Sequence, residues 1–308
     1  MKILITGASG LVGHGIIAAL KNGYRLLTPD RSELDLLNRR QVQQYLKKEQ
    51  PEMVIHAAGI VGGIAVNMKF PSAFLLANME MGRNIIYESY ELGIKKFINL
   101  ASSCMYPKDR NKPLSEEMIL TGTLEPTNEG YALAKIVCTR LCEYISRENA
   151  DFQYKTLIPC NLYGPWDKFV SEDAHMIPAV IHKLHVAKTH EIENISIWGS
   201  GQVRREFMYS EDLGNCVRYC VQNFESLPGI MNVGLGHDYT VNEYYALIAK
   251  VVGYTGTFTH DLTKPEGMKR KLTDISKQKK FGWQAQIPLE EGIKRTYQFY
   301  LSNVAREG

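Results

Sequence analysis

Apolar and polar positions along the first half of the chain form blocks that alternate between two periods. Short apolar runs bounded by turn residues predict buried strands, and longer runs with one apolar face predict helices. The predicted strands are 2–6, 25–28, 53–57 and 96–100, and the predicted helices are 16–20, 41–49, 72–92 and 131–148. This alternation predicts an α/β fold with a doubly wound parallel sheet and right-handed crossovers.

A glycine-rich turn joins the first predicted strand to the first helix. Its spacing is G-x-x-G-x-x-G, and the residues that would meet a ligand are Gly7, Ser9, Gly10, Leu11, Val12 and Gly13. Such a turn allows a pyrophosphate to approach the backbone closely and places the anion at a helix N-terminus. The motif predicts a dinucleotide site, although by itself it also fits a turn that binds nothing.

The second strand ends near Asp30 and Arg31, about where an adenosine ribose would lie. A carboxylate there favours NAD through the ribose hydroxyls, and a cation favours NADP through the 2′-phosphate. A helix-capping turn at residues 30–33 is the third interpretation. The residues alone leave all three open.

Two further strand ends carry candidate chemistry at the carboxyl edge of the sheet, where open α/β sheets bind ligands. One holds Ala57 and Ala58, and the next holds Ser102. Beyond them Tyr131 and Lys135 stand four residues apart, on one face of a helix. A phenol exchanges protons near neutral pH only when a neighbouring cation stabilises its anion, so we expect Lys135 to lower the pKa of Tyr131. The alternative is a solvated pair on a helix surface.

Composition narrows the class of protein. The 308 residues are 44% hydrophobic and 22% charged, and 36 Lys and Arg against 33 Asp and Glu give a net charge of +3 without a basic tail. A nucleic-acid binder is therefore not expected.

The longest apolar run, 54–66, contains His56 and three glycines and is too short to span a membrane. Without a signal-peptide pattern, we expect a cytoplasmic protein. Six cysteines form no disulfide framework, and their i,i+4 pairs indicate helix packing rather than a metal site.

Taken together, the glycine turn, the strand-end Ser102 and Tyr131-x-x-x-Lys135 resemble the extended short-chain dehydrogenase/reductase family, in the order that family uses. Finer motifs resemble the GDP-L-fucose synthases of that family, over nearly the whole chain. These motifs are Val61-Gly62-Gly63-Ile64, Ser102-Ser103-Cys104-Met105-Tyr106-Pro107, Gly122 to Asn128, Asn161-Leu162-Tyr163-Gly164-Pro165, His175-Met176-Ile177-Pro178, and Trp198-Gly199-Ser200-Gly201 through Phe207.

The resemblance implies an enzyme that inverts C3 and C5 of GDP-4-keto-6-deoxy-mannose and then reduces the C4 ketone, with NADP(H) favoured over NAD(H). A 4-keto group acidifies the protons on C3 and C5, so a base and an acid on opposite faces can invert each carbon through an enolate. Cys104 fits the base and His175 the acid. By the same resemblance Ser102 and Tyr131 bind the C4 oxygen, and Lys135 binds the ribose. Ala57, Ala58 and His175 are also expected to contact the cofactor.

The resemblance also implies the residues that bind the GDP-linked keto sugar. They are Asn161, Lys183, Trp198, Arg205 and Lys271. Arg205 and Lys271 have the alternative of solvated charges, and Asn161 that of a structural amide. A buried thiol and a satisfied histidine are the corresponding alternatives for Cys104 and His175.

Three positions depart from the family pattern. Ser9 stands where a basic residue often contacts the 2′-phosphate, Trp166 where a histidine precedes Asp167, and Lys183 where an arginine is expected. A related GDP-sugar, such as a 3,6-dideoxy (colitose-type) or heptose precursor, therefore stays open as the substrate, as does a reductase that epimerises weakly. A 4,6-dehydratase would need an acidic residue where Cys104 stands. A non-catalytic dinucleotide sensor would be expected to lose Ser102, Tyr131 or Lys135.

The length of the chain predicts a second lobe, because single cores rarely grow beyond about 250–300 residues. We predict that residues 1–165 with about 204–234 form the dinucleotide-binding domain. Residues 166–203 with 235–308 would form a smaller, discontinuous substrate lobe, with helices at 241–252 and 289–301. The cleft between the lobes is the expected substrate site. The resemblance further implies a homodimer through helices 72–92 and 131–148.

Overall fold

The strands of the first half are short and buried, as their apolar runs predict. A computed structural model of the chain describes residues 1–108, 110, 112–170, 174–264 and 267–305. The strands are β1 Lys2–Thr6, β2 Arg25–Leu27, β3 Met53–His56, β4 Lys96–Leu100, β5 Gln153–Pro159, β6 Asn161–Tyr163, β7 Asn194–Trp198, β8 Arg204–Arg205, β9 Phe207–Tyr209, β10 Ile230–Val233, β11 Tyr239–Thr240, β12 Thr257–Asp261 and β13 Arg270–Lys271. The helices are α1 Leu11–Leu20, α2 Arg39–Glu49, α3 Ile64–Lys69, α4 Pro71–Glu91, α5 Glu129–Glu148, α6 Met176–Thr189, α7 Ser210–Gln222, α8 Val241–Val252, α9 Ser276–Phe281 and α10 Leu289–Asn303.

Six strands form one parallel sheet in the order β10-β5-β4-β3-β1-β2. The predicted doubly wound α/β sheet is therefore confirmed. The chain runs from β1 to β2 on one side and then crosses to β3 on the other. The order of strands reverses between β1 and β3, which is where such sheets bind ligands at their carboxyl ends.

Alternate residues of β1 face the two helical layers, as the two-residue period of a strand requires. Ile3 and Ile5 pack in a core that includes Cys216 and Cys220 of α7, and Leu4 packs in a second core with Cys138 and Cys142 of α5. The four cysteines thus serve helix packing, as the spacing indicates.

Helices α1 and α7 cross closely enough to need glycine at the contact. A Cβ added to Gly214 would lie 2.2 Å from the carbonyl oxygen of Gly15. The contact fixes α1, whose N-terminus carries the glycine turn, against the helix that follows β9. Helix α1 begins five residues earlier than predicted, because Gly13 and Gly15 supply no apolar side chain to the periodic pattern.

A separate apolar cluster fills the other part of the molecule. It contains Ile177 and Ile181 of α6, Tyr244 of α8 and Ile293 of α10. Small sheets flank it: β12-β7, β6-β9 and β11-β8-β13. Across the described residues, none of the helices is both long and apolar enough to cross a bilayer.

Candidate active site

The glycine turn has the shape that a dinucleotide pyrophosphate needs. A Cβ on Gly13 would lie 2.2 Å from the Gly7 carbonyl oxygen. Gly7 itself has a φ of +72°, and a Cβ added there would clash with the backbone of Ala58. On Gly10, by contrast, a Cβ would meet only the Gly7 oxygen, at 3.6 Å. Helix α1 has no side-chain cap and no acidic residue in its first turn. Its first amide groups are therefore available to an anion, and these residues fit the cofactor.

The loop after β3 is held against this turn by two side chains that carry no obvious motif. Thr6 Oγ1 lies 2.8 Å from His56 Nδ1 and accepts the N–H of Ala58 at 3.4 Å. Asn78 of α4 exchanges two hydrogen bonds with the backbone of Ile60, at 2.9 and 3.0 Å. The positions of Ala57 and Ala58 therefore depend on residues of β1 and α4.

Asp30 turns back onto its own loop. One carboxylate oxygen accepts both the N–H and the hydroxyl of Ser32, at 2.7 and 2.6 Å, and the N–H of Glu33 at 3.0 Å. These bonds lower the pKa of Asp30, and the bond from the Ser32 hydroxyl has the largest effect. Arg31 is 78% exposed, and Asp35 lies 3.9 Å from its guanidinium. The capping turn and an available cation thus occur together, an arrangement that favours a 2′-phosphate over ribose hydroxyls.

Ser102 and Cys104 meet where β4 ends. Ser102 precedes a short 3₁₀ turn, and its Oγ accepts the N–H of Cys104 at 3.4 Å. Cys104 is only 5% exposed. Burial raises the pKa of its thiol, and the charge of Lys271, the hydrogen bond with Ser102 and the charge of Lys135 oppose that rise. The net pKa of the Cys104 thiol is raised, so the sulfur is a neutral thiol at rest, and two cations on different elements make its deprotonation less costly.

Tyr131 and Lys135 occupy adjacent turns of α5 beside this sulfur. Lys135 is buried, lies 5.7 Å from the centre of the Tyr131 ring, and donates to the carbonyl oxygen of Leu100 at 3.0 Å. A Cβ added to Gly59 would lie 3.6 Å from its ammonium. Lys135 thus reaches the loop after β3, on the side expected for the ribose.

The expectation that Lys135 lowers the pKa of Tyr131 needs correction. Removal of the hydroxyl from water raises the pKa of Tyr131 well above its ordinary value, and the neighbouring Cys104 acts in the same direction. The ammonium bonds to a backbone carbonyl and lies beside the ring rather than at the hydroxyl. Tyr131 is therefore a neutral phenol, which can donate a proton to an oxygen anion.

Two cations stand together on β8 and β13. These strands pair Arg205 with Lys271 and Arg204 with Arg270. Since neighbouring strand residues point to opposite faces, the two pairs lie on different faces. Buried Asp238 neutralises the second pair through contacts of 2.7 and 2.5 Å. Burial, above all, lowers the pKa of Lys271, and the neighbouring Arg205 lowers it further.

Buried Glu206 fixes the segment that carries Lys271. Its carboxylate accepts the N–H groups of Leu235, Gly236 and Thr273 and the hydroxyl of Thr273, at 2.6 to 2.9 Å. Asn161 Nδ2 donates to the backbone oxygen of Glu206 at 2.9 Å. This hydrogen bond fits the alternative interpretation of Asn161 as a structural amide.

The remaining predicted residues lie on other elements. His175 is the residue before α6, and its Nδ1 lies 3.2 Å from Oδ1 and 3.3 Å from Oδ2 of Asp167. Lys183, two turns along α6, donates to the Ser196 carbonyl oxygen at 2.5 Å. Trp198 ends β7 and is 61% exposed, with the Lys264 ammonium 5.5 Å from its ring centre.

Comparison with known proteins identifies the family to which the chain belongs. The model of the NAD dependent epimerase/dehydratase family matches residues 3–234. The chain belongs to that family. This confirms the resemblance, since the chain is similar over nearly its whole length to GDP-sugar enzymes. It is 53% identical to GDP-L-colitose synthase from Yersinia pseudotuberculosis, covering 98% of both chains, and 45% identical to GDP-L-fucose synthase from Azorhizobium caulinodans, covering 98% of this chain and 96% of that one. Among solved structures it is similar to MlghC, GDP-mannoheptose C4 reductase from Campylobacter jejuni with NADP bound, with a TM-score of 0.88, 32% identity, and 97% and 98% of the two chains covered.

Proposed function

We propose that this protein is an NADP-dependent enzyme that epimerises a GDP-4-keto-6-deoxy-hexose and reduces its C4 ketone. The observation that carries the proposal is the grouping of a phenol, a hydroxyl, a buried thiol and an ammonium at the end of β4. Ser102, Tyr131 and Lys135 suit ketone reduction, whereas a reductase alone has no use for Cys104.

NADPH, when bound, supplies the hydride that reduces C4. The amide groups at the start of α1 would hold its pyrophosphate, and Arg31 would hold the 2′-phosphate. Lys135, beside the loop of Ala57 and Ala58, would bind ribose hydroxyls. Asp30 is engaged in its own turn, which supports NADP over NAD.

Reduction requires a proton at the C4 oxygen as that carbon becomes tetrahedral. Tyr131 is a neutral phenol in this site and donates the proton, and Ser102 donates a second hydrogen bond to the same oxygen. Donors fixed in advance stabilise a developing oxyanion without reorganising during the reaction.

Epimerisation uses the same oxygen as an electron sink. Cys104 first loses its own proton to solvent, and its thiolate then removes the proton from the carbon beside the ketone while the bonding pair moves into an enolate that Ser102 and Tyr131 stabilise. The imidazolium of His175 then returns a proton to the opposite face of that carbon. Lys271 contributes by favouring the thiolate, because its charge acts on the sulfur.

The GDP part is assigned to the cations and the exposed indole. Arg205 and Lys271 lie side by side and would bind the diphosphate, while Trp198 offers a flat apolar face to the base. Lys183 is half-buried with its ammonium on a backbone oxygen, so we assign it a weaker role at the substrate.

A 3,6-dideoxy substrate of the colitose type is the second candidate. The 53% identity to a GDP-L-colitose synthase, against 45% to a GDP-L-fucose synthase, favours it. Such a sugar has no hydroxyl at C3, so inversion would be confined to C5. The same base, acid and oxyanion donors would serve both substrates.

We further propose a cytoplasmic homodimer with two lobes. Six unpaired, buried cysteines agree with a reducing compartment. On α4 and α5, Leu76, Leu133, Val137 and Tyr144 are exposed, which supports pairing of these helices with those of a second copy. The return of β10 to the first sheet and the separate core around α6 support division at about residues 165, 203 and 234.

Turnover of a panel of GDP-4-keto sugars, followed by the stereochemistry of each product, tests the function. We expect NADPH oxidation and a product inverted at C5, with inversion at C3 only where that carbon bears a hydroxyl. Reduction without inversion would leave a plain 4-ketoreductase. NADPH binding with no turnover of any sugar would instead support a dinucleotide sensor.

A further inference from the structure

A carboxylate outside the expected catalytic set holds the histidine of this site. Asp167 is 5% exposed, and both its oxygens lie within 3.3 Å of His175 Nδ1. Its Oδ1 also accepts the N–H of Lys168 at 2.9 Å. A carboxylate can only accept hydrogen bonds, so Nδ1 must carry the proton between them. Nε2 is then the nitrogen left to face a substrate.

The loop that carries Asp167 is fixed by its neighbours. Trp166 stacks on His14 of α1, with ring centres 4.2 Å apart and planes 9° from parallel, and also packs against Phe299. The backbone of Trp166 has a φ of +70°, which is unfavourable for a bulky residue and persists only where packing enforces it. Two packed contacts therefore set the direction in which Asp167 points.

We infer that Asp167 is a positioning residue for epimerisation, which keeps the Nδ1–H tautomer of His175 and presents Nε2 as the acid. The inference rests on the proposed function for its catalytic consequence, but its geometry stands on the hydrogen bond alone. In the acid step the Nε2–H bond breaks and the enolate electron pair forms the new C–H bond. The other ring proton stays on Nδ1, which continues to donate its hydrogen bond to Asp167. The neutral ring then regains its proton at Nε2 from solvent.

Asp167 also raises the pH up to which His175 stays charged. Burial lowers the pKa of His175, but the hydrogen bond and charge of Asp167 outweigh it, so the net pKa is raised above 6.5. Lys168 is the other charged group that acts on the ring among the described residues, and it lowers the pKa. Without the carboxylate, both remaining influences lower the pKa, so it should fall below 6.5.

The first test is nitrogen NMR of His175 in the full-length protein, titrated in wild type, Asp167→Asn and Asp167→Glu. We expect Nδ1 of the wild type to stay protonated through the titration while Nε2 titrates. Asp167→Asn should lower the pKa and mix the tautomers, and Asp167→Glu should restore part of both properties. Asp151→Asn, which changes an exposed carboxylate paired with Lys95, is the matched control. Titration of Nδ1 in the wild type would overturn the inference even if the variants do not fold.

The second test is solvent exchange at the epimerised carbon as a function of pH. Loss of a positioned general acid costs roughly 10²–10⁴-fold, so Asp167→Asn should lower the kcat of exchange by about 10²-fold or more with little change in KM. Its alkaline limb should move to lower pH. Unchanged kcat and pH profile would contradict the role of Asp167. If the wild type exchanges no proton of any GDP-4-keto sugar, the proposed function fails, and the NMR titration still decides the tautomer.

Discussion

Acidification should destabilise the fold through His56, the last residue of β3. Burial, and then the charge of Lys135, lower the pKa of His56 from 6.5 to about 3, so the folded ring is neutral. The unfolded chain takes up a proton at this residue below about pH 6.5. Unfolding therefore binds one proton between pH 6.5 and about 3, and the free energy of unfolding falls with pH by about 1.4 kcal/mol per unit. From pH 7 to pH 5 the loss is about 2 kcal/mol.

Urea unfolding of wild type and His56→Asn at both pH values measures this contribution. The other histidines titrate in both proteins and cancel in the difference, so the variant should lose about 2 kcal/mol less than wild type over the same interval. His237→Asn removes an exposed histidine and serves as the control. Equal pH dependence of wild type and His56→Asn would refute the reasoning, because it would mean that the buried ring is already charged or reaches water in the folded state.

Three further predictions concern the site itself. Tyr131→Phe removes the proton donor and should lower the rate of ketone reduction by roughly 10²–10⁴-fold while GDP-sugar binding persists; wild-type rates at saturating NADPH would exclude the assignment. Arg31→Ala should reduce the ratio of catalytic efficiencies with NADPH and NADH by about tenfold or more, since it removes a charged contact to the 2′-phosphate, whereas Asp30→Ala should not reverse the preference. Lys271→Met should raise the pKa of the Cys104 thiol, measured by thiolate absorbance against Cys104→Ala, and a pKa equal to that of wild type would show that Lys271 does not act on the sulfur.

The fold was largely predictable because buried parallel strands leave a strong local pattern. Strands β1 and β4 have the predicted bounds, and α5 begins two residues before the predicted start. The weaker prediction was α1, where glycines interrupt the apolar period. The glycine turn, Ser102 and the pair Tyr131 and Lys135 were recognisable because each sits at a fixed offset from a strand end or along a helix.

The supporting residues could not be found in the same way. Asp167 and His175 are separated by eight positions without a common element, so no period relates them. Asp238 and Glu206 act through contacts with residues more than 25 positions away in sequence. The pKa of Tyr131 depends on burial, which only the assembled fold determines. The spacing of Tyr131 and Lys135 in the sequence therefore predicted the wrong direction for the pKa shift.

In the mechanism that we propose, one site performs both carbon inversion and ketone reduction, with Cys104 as the base. Hydrogen exchange in deuterated water without reduced cofactor tests it most directly. Wild type should incorporate deuterium at C5 of a GDP-4-keto-6-deoxy sugar, and at C3 where a hydroxyl is present. Cys142→Ala, which removes a buried thiol outside the site, should do the same. Cys104→Ala should incorporate none, and loss of Ser102 or Tyr131 should slow exchange as well as reduction, because both bind the same oxygen. Full exchange by Cys104→Ala would contradict the claim and leave Cys104 a packed thiol beside a simple 4-ketoreductase site.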